Sequence, residues 1–310
     1  MSAPPRAHAS RHSGDLVLRE KAETLSASLP PLLIAATRVA NAVVHGLHGR
    51  RRAGPGEDFW QYRPYSFGDS AHRIDWRKSA RSDRVLIREN EWAATHTLYL
   101  WANRSPGMEF RSHLSGTSKH ERAALLSLAL AVLATRAGER VAGLGLPYPP
   151  GHTQLTLNRL AHTFAERPSE EAASLPAEQP LPRFAAAVLM GDFLEPLDRI
   201  SQRLTTIAAT GIAGHLVQVL DPAEETLPYQ GRTEFIEFKG SQRFLAGKAE
   251  LLRKDYQTRL HRHRDSLREL ARRLGWSFTL HLTDRPPSQA LLSLYGLLAG
   301  PRAVGARAAG

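Results

Sequence analysis

The chain has 310 residues, of which 42% are hydrophobic and 23% charged, enough for two domains or for one large domain with an attached module. It has no cysteine, which excludes disulfides, thiolate catalysis and cysteine-bound zinc, and no run near the ~20 apolar residues of a membrane helix. The formal net charge of +11 leaves nucleic acid, an anionic membrane surface or an acidic protein as partners, and we expect a soluble cytoplasmic protein without membrane insertion.

The first part of the chain predicts helices followed by short strands. We expect residues 1–14 to be disordered, and residues 15–48 show helical patterns interrupted by Pro30 and Pro31. Residues 49–92 hold short strand-like pieces separated by Gly-Asp and Ser-Asp turns. We therefore assign residues 15–93 to an N-terminal module of helices and short strands.

From Thr97 onward, apolar strand-like segments alternate with helical segments. This alternation predicts an α/β fold: an open, mostly parallel, Rossmann-type sheet with helices on both faces. We place this domain at residues 94–300 and a flexible tail at residues 301–310. Within the domain, a single basic helix is predicted from Gln242 to Leu274, with a leucine stripe on one side and arginines on the other. The arginine face is interpreted as solvated, with an acidic partner or nucleic acid as alternatives.

Polar residues follow two strands of the predicted sheet. Asn103 and Ser105 come after the first strand, and Asp192 comes after the third. Ligands of open α/β sheets bind at the carboxyl edge, so these residues are expected at one crevice. A von Willebrand A-type metal site needs Asp-x-Ser-x-Ser at the first loop, but Asn103 and Gly107 remove one carboxylate and one hydroxyl. The favoured interpretation is a degenerate loop without a cofactor, with Mg²⁺ or Mn²⁺ at Asn103, Ser105 and Asp192 as the alternative.

The segment from Gly49 to Trp92 is rich in arginine, aspartate and aromatic residues. Arginine pairs with carboxylates and stacks on aromatic rings, so these groups can order a module that has little aliphatic core. The same residue types dominate protein-interaction hot spots. The predicted partner contacts are Arg63, Tyr65, Asp69, Arg73, Asp75, Trp76 and Arg81.

This segment resembles the signature of the family called domain of unknown function 58. The matching residues are Gly54, Gly56, Glu57, Arg63, Tyr65, Gly68, Asp69, Arg73, Ile74, Asp75, Trp76, Ser79, Ala80, Arg81 and Glu91. The resemblance covers nearly the whole chain and implies a von Willebrand A-like α/β domain, here in a short, soluble form with a degenerate metal loop. It also implies partners, because such bacterial proteins are usually encoded beside a MoxR-type AAA+ ATPase and other von Willebrand A-domain proteins.

The function that this resemblance implies is non-enzymatic. We expect an adaptor or co-chaperone that acts with a MoxR-type AAA+ ATPase in the assembly or activation of a protein complex. The alternatives are a divalent-metal-dependent von Willebrand A-type binding protein and a basic nucleic-acid-binding protein. No catalytic residue is proposed, because the glycine-rich turns lack the Gly-Lys-Ser/Thr of a phosphate loop. Arginines flank Asp69 and Asp75, which suits ion pairs better than proton transfer.

Overall fold

A computed structural model describes residues 30–48, 61–64, 79–81, 85–89, 97–183, 185–237 and 243–299 of the chain. The chain divides into two compact units. The larger unit comprises Met1–Gly46 and His96–Gly310, and the smaller unit comprises Leu47–Thr95. Within the described residues, no helix combines the length and the apolar character needed to cross a membrane.

A five-stranded sheet forms the centre of the larger unit. Its strands are β3 (Thr97–Ala102), β4 (Arg140–Gly143), β5 (Ala186–Gly191), β6 (Ala213–Leu220) and β9 (Ser277–Leu282). Their order across the sheet is β4-β3-β5-β6-β9, and every neighbouring pair is parallel. The Rossmann-like open sheet predicted from the sequence is therefore confirmed.

Helices pack on both faces of this sheet. One core contains residues of α1 (Pro31–His48), α2 (Lys119–Arg136), α3 (Gln154–Ala165) and α7 (Pro287–Ala299). The other core contains residues of α4 (Leu197–Ala208) and α6 (Arg253–Arg273). Successive strand residues point to opposite faces, so Leu100 of β3 enters the first core and Trp101 enters the second. Burial on both faces explains why the strands are almost continuously apolar.

Helix α1 contributes to the core of the larger unit. It begins after Pro30, whose carbonyl accepts a hydrogen bond from the Leu33 N–H at 2.8 Å. Leu33 and Val43 are buried in the same core as α2 and α7. This helix, which the sequence pattern places in the N-terminal module, thus belongs to the α/β unit by its contacts. The predicted boundaries at residues 14, 93 and 300 lie outside the described residues and stay predictions.

The long helix predicted from Gln242 to Leu274 is wrong at its N-terminal end. A strand of a small two-stranded sheet lies there instead. Strand β8 (Arg243–Ala246) pairs antiparallel with β7 (Thr233–Ile236), which places Phe235 opposite Phe244. Helix α6 begins only at Arg253, after a 3₁₀ turn. Cross-strand pairing of apolar side chains outweighs the local helical pattern here. Helix α7, which follows β9, was not predicted.

The smaller unit is described only in part. Strands β1 (Gln61–Pro64) and β2 (Leu86–Glu89) pair antiparallel, with Arg63 opposite Ile87. Both strands fall within segments that the sequence marked as strand-like. Most of the arginine- and aspartate-rich signature between them lies outside the described residues.

Candidate functional site

The residues that follow β3 and β5 meet at the carboxyl edge of the sheet. The Asn103 side-chain amide donates a hydrogen bond to Asp192 Oδ1 at 3.3 Å. Asn103 Oδ1 accepts a hydrogen bond from the Ser105 backbone N–H at 2.8 Å, which holds the loop after β3 in a tight turn. The structure therefore brings the predicted residues Asn103, Ser105 and Asp192 together, as expected for strands that run in parallel.

Lys119 joins this group, although no sequence motif marks it as a site residue. Its Nζ donates to Asp192 Oδ2 at 3.0 Å and to Glu224 Oε1 at 2.6 Å. The Lys119 side chain is only 2% exposed, so both ion pairs are shielded from water. We call Lys119, Asp192 and Glu224 the lysine cluster. One feature of the sequence hints at this cluster. A lysine in the first turn of a helix is unfavourable because its charge opposes the helix dipole, so it needs a negatively charged partner.

The start of helix α2 fixes the position of Lys119. Ser118 Oγ accepts a hydrogen bond from the Glu121 N–H at 3.2 Å, and Glu121 Oε2 accepts one from the Ser118 N–H at 2.8 Å. This reciprocal capping box satisfies two N–H groups that a helix start would otherwise leave unpaired. Lys119 is the first helical residue after the cap, so its side chain leaves the helix at a defined point.

The start of a second helix fixes Glu224. Helix α5 (Pro222–Thr226) is capped by the buried Asp221, whose Oδ1 accepts a hydrogen bond from the Ala223 N–H at 2.8 Å. Glu224 Oε2 accepts a hydrogen bond from the Asp221 N–H at 2.9 Å. The other Glu224 oxygen is then directed to Lys119. Two helix caps thus hold the two ends of one buried ion pair.

The carboxylates keep the buried lysine charged. Burial by itself lowers the pKa of Lys119, because removal from water penalises the ammonium form. The negative charges of Asp192 and Glu224, with their hydrogen bonds, outweigh that penalty and hold the pKa of Lys119 above its ordinary value. Burial also raises the pKa of Glu224, against the opposing charge of Lys119. The cluster is therefore a buried ammonium group between the carboxyl groups of Asp192 and Glu224.

This arrangement does not fit a divalent cation. Hard cations need several free oxygen ligands, but both Asp192 oxygens already accept hydrogen bonds, from Asn103 and Lys119. Gly107 offers no hydroxyl, although a Cβ there would lie 3.6 Å from Asp192 Oδ2. In the described part of the chain, no three His, Cys, Asp or Glu side chains are grouped to hold a metal ion. The Lys119 ammonium supplies the positive charge instead.

An open cavity of about 680 Å³ lies beside the lysine cluster and shares Glu224 with it. Its walls come from α5, the β7–β8 hairpin and the first turns of α6. We call it the aromatic groove because its lining includes the rings of Phe110, Tyr229, Phe235, Phe244 and Tyr256. Three carboxylates line it as well: Glu224, Glu234 and Asp255. Sequence patterns did not reveal the groove, because its walls come from segments far apart in the chain.

The predicted partner contacts are only partly described. Arg63 lies in β1, and Arg81 lies in an exposed turn of the smaller unit. The remaining predicted contacts lie outside the described residues: Tyr65, Asp69, Arg73, Asp75 and Trp76. Their role as a partner surface therefore stays a prediction.

The fold and the site define a Rossmann-like α/β protein with a lysine–carboxylate cluster at the carboxyl edge of its sheet. The chain belongs to the family described as "Protein of unknown function DUF58", which matches residues 61–266 and confirms the resemblance seen in the sequence. Over 223 residues it is 26% identical to an uncharacterized protein of Mycobacterium bovis. The same identity relates it to uncharacterized proteins from two strains of Mycobacterium tuberculosis. These matches cover 67% of this chain and 68% of each relative. No solved structure gave a significant match.

Proposed function

We propose that the protein is a non-enzymatic interaction module of the cytoplasm. It serves as an adaptor or co-chaperone for a MoxR-type AAA+ ATPase in assembling or activating another protein complex, together with other von Willebrand A-domain proteins. The observation that carries this proposal is the lysine cluster. It lies at the sheet edge at which α/β folds usually bind and convert small ligands, and its charged groups are paired with each other.

The character of the neighbouring surface supports protein binding. Ile236 and Phe244, each 56% exposed, line the aromatic groove. Single exposed apolar residues are common, but apolar side chains grouped around a concave surface are typical of binding sites. We propose that this region and the predicted contacts of the smaller unit, from Arg63 to Arg81, both serve partner binding.

The metal-dependent alternative has less support. A cation at Asn103, Ser105 and Asp192 would have to compete with an ammonium group 3.0 Å from Asp192 Oδ2. We therefore propose that the protein needs no cofactor and that Lys119 takes the electrostatic role of the cation.

The nucleic-acid alternative also has less support. Several arginines of the basic helix α6 pair with carboxylates: Arg268 with Asp265 at 2.6 Å, Arg272 with Glu269 at 2.7 Å, and Arg264 with Glu225. Paired guanidinium groups attract phosphates less than free ones, because the local charge is partly cancelled. A gel shift that is absent even at low salt would remove this alternative.

The proposed function is tested by binding to the MoxR-type ATPase encoded in the same genome. The purified chain and the ATPase should co-elute in size-exclusion chromatography, and Asp75→Ala or Arg81→Ala should abolish co-elution. Arg167→Ala, at an exposed arginine of the larger unit, is the matched control and should bind normally. If the variants are folded and still bind, the contact assignment is wrong. If wild-type protein does not bind, the partnership is wrong.

A further inference from the structure

We propose that the aromatic groove binds an extended segment of a partner protein through a lysine or arginine side chain of that segment. This inference rests on the proposed function, since it assumes a protein partner. It goes further by naming a binding surface and the chemistry of its ligand.

The hairpin beside the groove offers unpaired strand edges. Among the described residues, β7 and β8 pair only with each other, so each strand leaves one edge without a neighbour. A two-stranded hairpin is only marginally stable in water, and an extended segment can add to such an edge through backbone hydrogen bonds. The partner segment that fits this geometry is therefore a strand rather than a helix.

The ring arrangement of the groove suits a cation. The Phe235 ring packs edge-to-face on Tyr229, with centroids 5.8 Å apart, and lies 6.3 Å from the Phe244 ring. Aromatic faces attract ammonium and guanidinium groups through their quadrupoles. An aromatic wall of this kind also accepts the aliphatic stem of a lysine or arginine side chain.

One carboxylate of the groove, Asp255, points to the same ligand. Glu224 already binds Lys119, and Glu234 forms an exposed pair with Arg243 at 3.5 Å. Asp255, at the start of α6, has no ion-pair partner among the residues that the structure describes, so it is available to a ligand cation. The described lining contains three carboxylates and a single cationic residue, Arg259. Because Lys119 and Arg243 already pair with Glu224 and Glu234, Asp255 is the lining carboxylate left for a ligand cation.

A random-peptide library displayed on phage, selected against the full chain, tests the proposal. The enriched peptides should carry lysine or arginine flanked by apolar residues. A fluorescent version of the best peptide should lose about tenfold in affinity when the basic residue is replaced by a neutral analogue, citrulline for arginine or acetyl-lysine for lysine. Absence of enrichment, enrichment of peptides without a basic residue, or equal affinity of the neutral peptide would each overturn the proposal.

Variants locate the binding site of that peptide. Asp255→Asn and Phe244→Ala should each weaken binding about tenfold, as expected for the loss of a charge partner or of a ring. The matched control is Asp265→Asn, which removes a carboxylate from an exposed position of the same helix and should leave the affinity unchanged. Circular dichroism verifies that each variant is folded. Equal weakening by the control, or concentration-dependent self-association that competes with the peptide, would assign the binding elsewhere and overturn the proposal.

The two proposals can fail separately. If the ATPase co-elutes with the chain but no peptide binds the groove, the groove assignment is wrong and the partnership stands. If a basic peptide binds, Asp255→Asn lowers its affinity and the ATPase does not co-elute, then the aromatic groove is a binding site for another protein.

Discussion

The role of Lys119 depends on side chains that are distant in sequence but close in the fold. Its two partners, Asp192 and Glu224, lie 73 and 105 residues further along the chain. The sequence did indicate that Asn103 and Asp192 would meet, because the ends of parallel strands share an edge. It could not indicate that a lysine would enter the same site, since that depends on where α2 begins relative to the sheet.

Loss of this lysine should be costly. Lys119→Ala leaves two buried carboxylates without a cation, and breaking a buried pair in this way costs about 3–5 kcal/mol of unfolding free energy. Urea denaturation monitored by circular dichroism measures the change. Lys254→Ala, at an exposed position of α6, is the control and should change stability by less than about 0.5 kcal/mol. If Lys119→Ala changed the unfolding free energy as little as Lys254→Ala, the stabilising role of the lysine cluster would be wrong.

The same variant should change the response to metal ions. Without the ammonium, one oxygen of Asp192 and one of Glu224 become free ligands. Mn²⁺ should therefore raise the Tm of Lys119→Ala but not that of the wild-type protein. Calorimetry with Mn²⁺ provides a second measurement. If the wild-type protein binds Mn²⁺ and Asp192→Ala removes the binding, then the metal-dependent alternative is right and the role given to Lys119 is wrong.

A buried histidine should make stability depend on pH. His281 of β9 is 4% exposed, and burial, with the nearby charge of Arg122, lowers the pKa of His281 to about 4. Between pH 6.5 and pH 4 the unfolded chain therefore binds a proton that the folded chain does not. The contribution of His281 to stability should then fall by about 2 kcal/mol from pH 7 to pH 5.

Urea denaturation at the two pH values tests this effect. His281→Gln should lose less stability on acidification than the wild-type protein. His152→Gln, at an exposed histidine, should behave like the wild type. Equal acid sensitivity of the His281→Gln variant and the wild type would refute the assignment.

At the scale of elements, the apolar strands and the capped helices were predictable from the sequence. Ser118 and Glu121 mark the start of α2, and Gly138, with a φ of +80°, marks its end. Strand β8 was not predictable in the same way, because Phe244 and Leu245 are half exposed and gain their pairing from β7. Local periodicity contains no information about such a partner.

The contact between β6 and Trp276, which lies between α6 and β9, should tolerate little change. Gly214 faces the indole of Trp276, and a Cβ at this position would lie 1.9 Å from a ring carbon. The Trp276 Nε1–H donates to the Ile212 carbonyl at 3.2 Å, which restricts movement of the ring. Gly214→Ala should therefore destabilise the protein by about 2–3 kcal/mol through overpacking.

Thermal unfolding measures this effect, and Gly116→Ala is its control. A Cβ at Gly116 meets no atom within 4 Å, so the Tm of that variant should stay close to the wild-type value. A neutral Gly214→Ala variant would show that the strand and the tryptophan can separate.

At the scale of the whole molecule, the smaller unit, Leu47–Thr95, is bounded on both sides in sequence by parts of the larger one. Residues 94–300 were predicted as a separate domain, yet α1 supplies Leu33 and Val43 to its core. Because burial of each such side chain contributes about 1.5–3 kcal/mol, a chain that starts at residue 94 should be much less stable.

Truncation tests that conclusion. A protein of residues 94–310 should aggregate or unfold at a lower temperature than a protein of residues 30–310, as followed by circular dichroism and light scattering. Equal thermal stability of the two proteins would show that α1 is dispensable.

The arrangement of α1 also governs when the protein can finish folding during synthesis. Its buried face shares one core with α7, which is made last among the described elements. Until α7 leaves the ribosome, the apolar face of α1 lacks some of the side chains that bury it. Contacts between segments so far apart in sequence also form slowly. The nascent chain should consequently expose an apolar helix for most of its translation, which makes it a substrate for ribosome-associated chaperones.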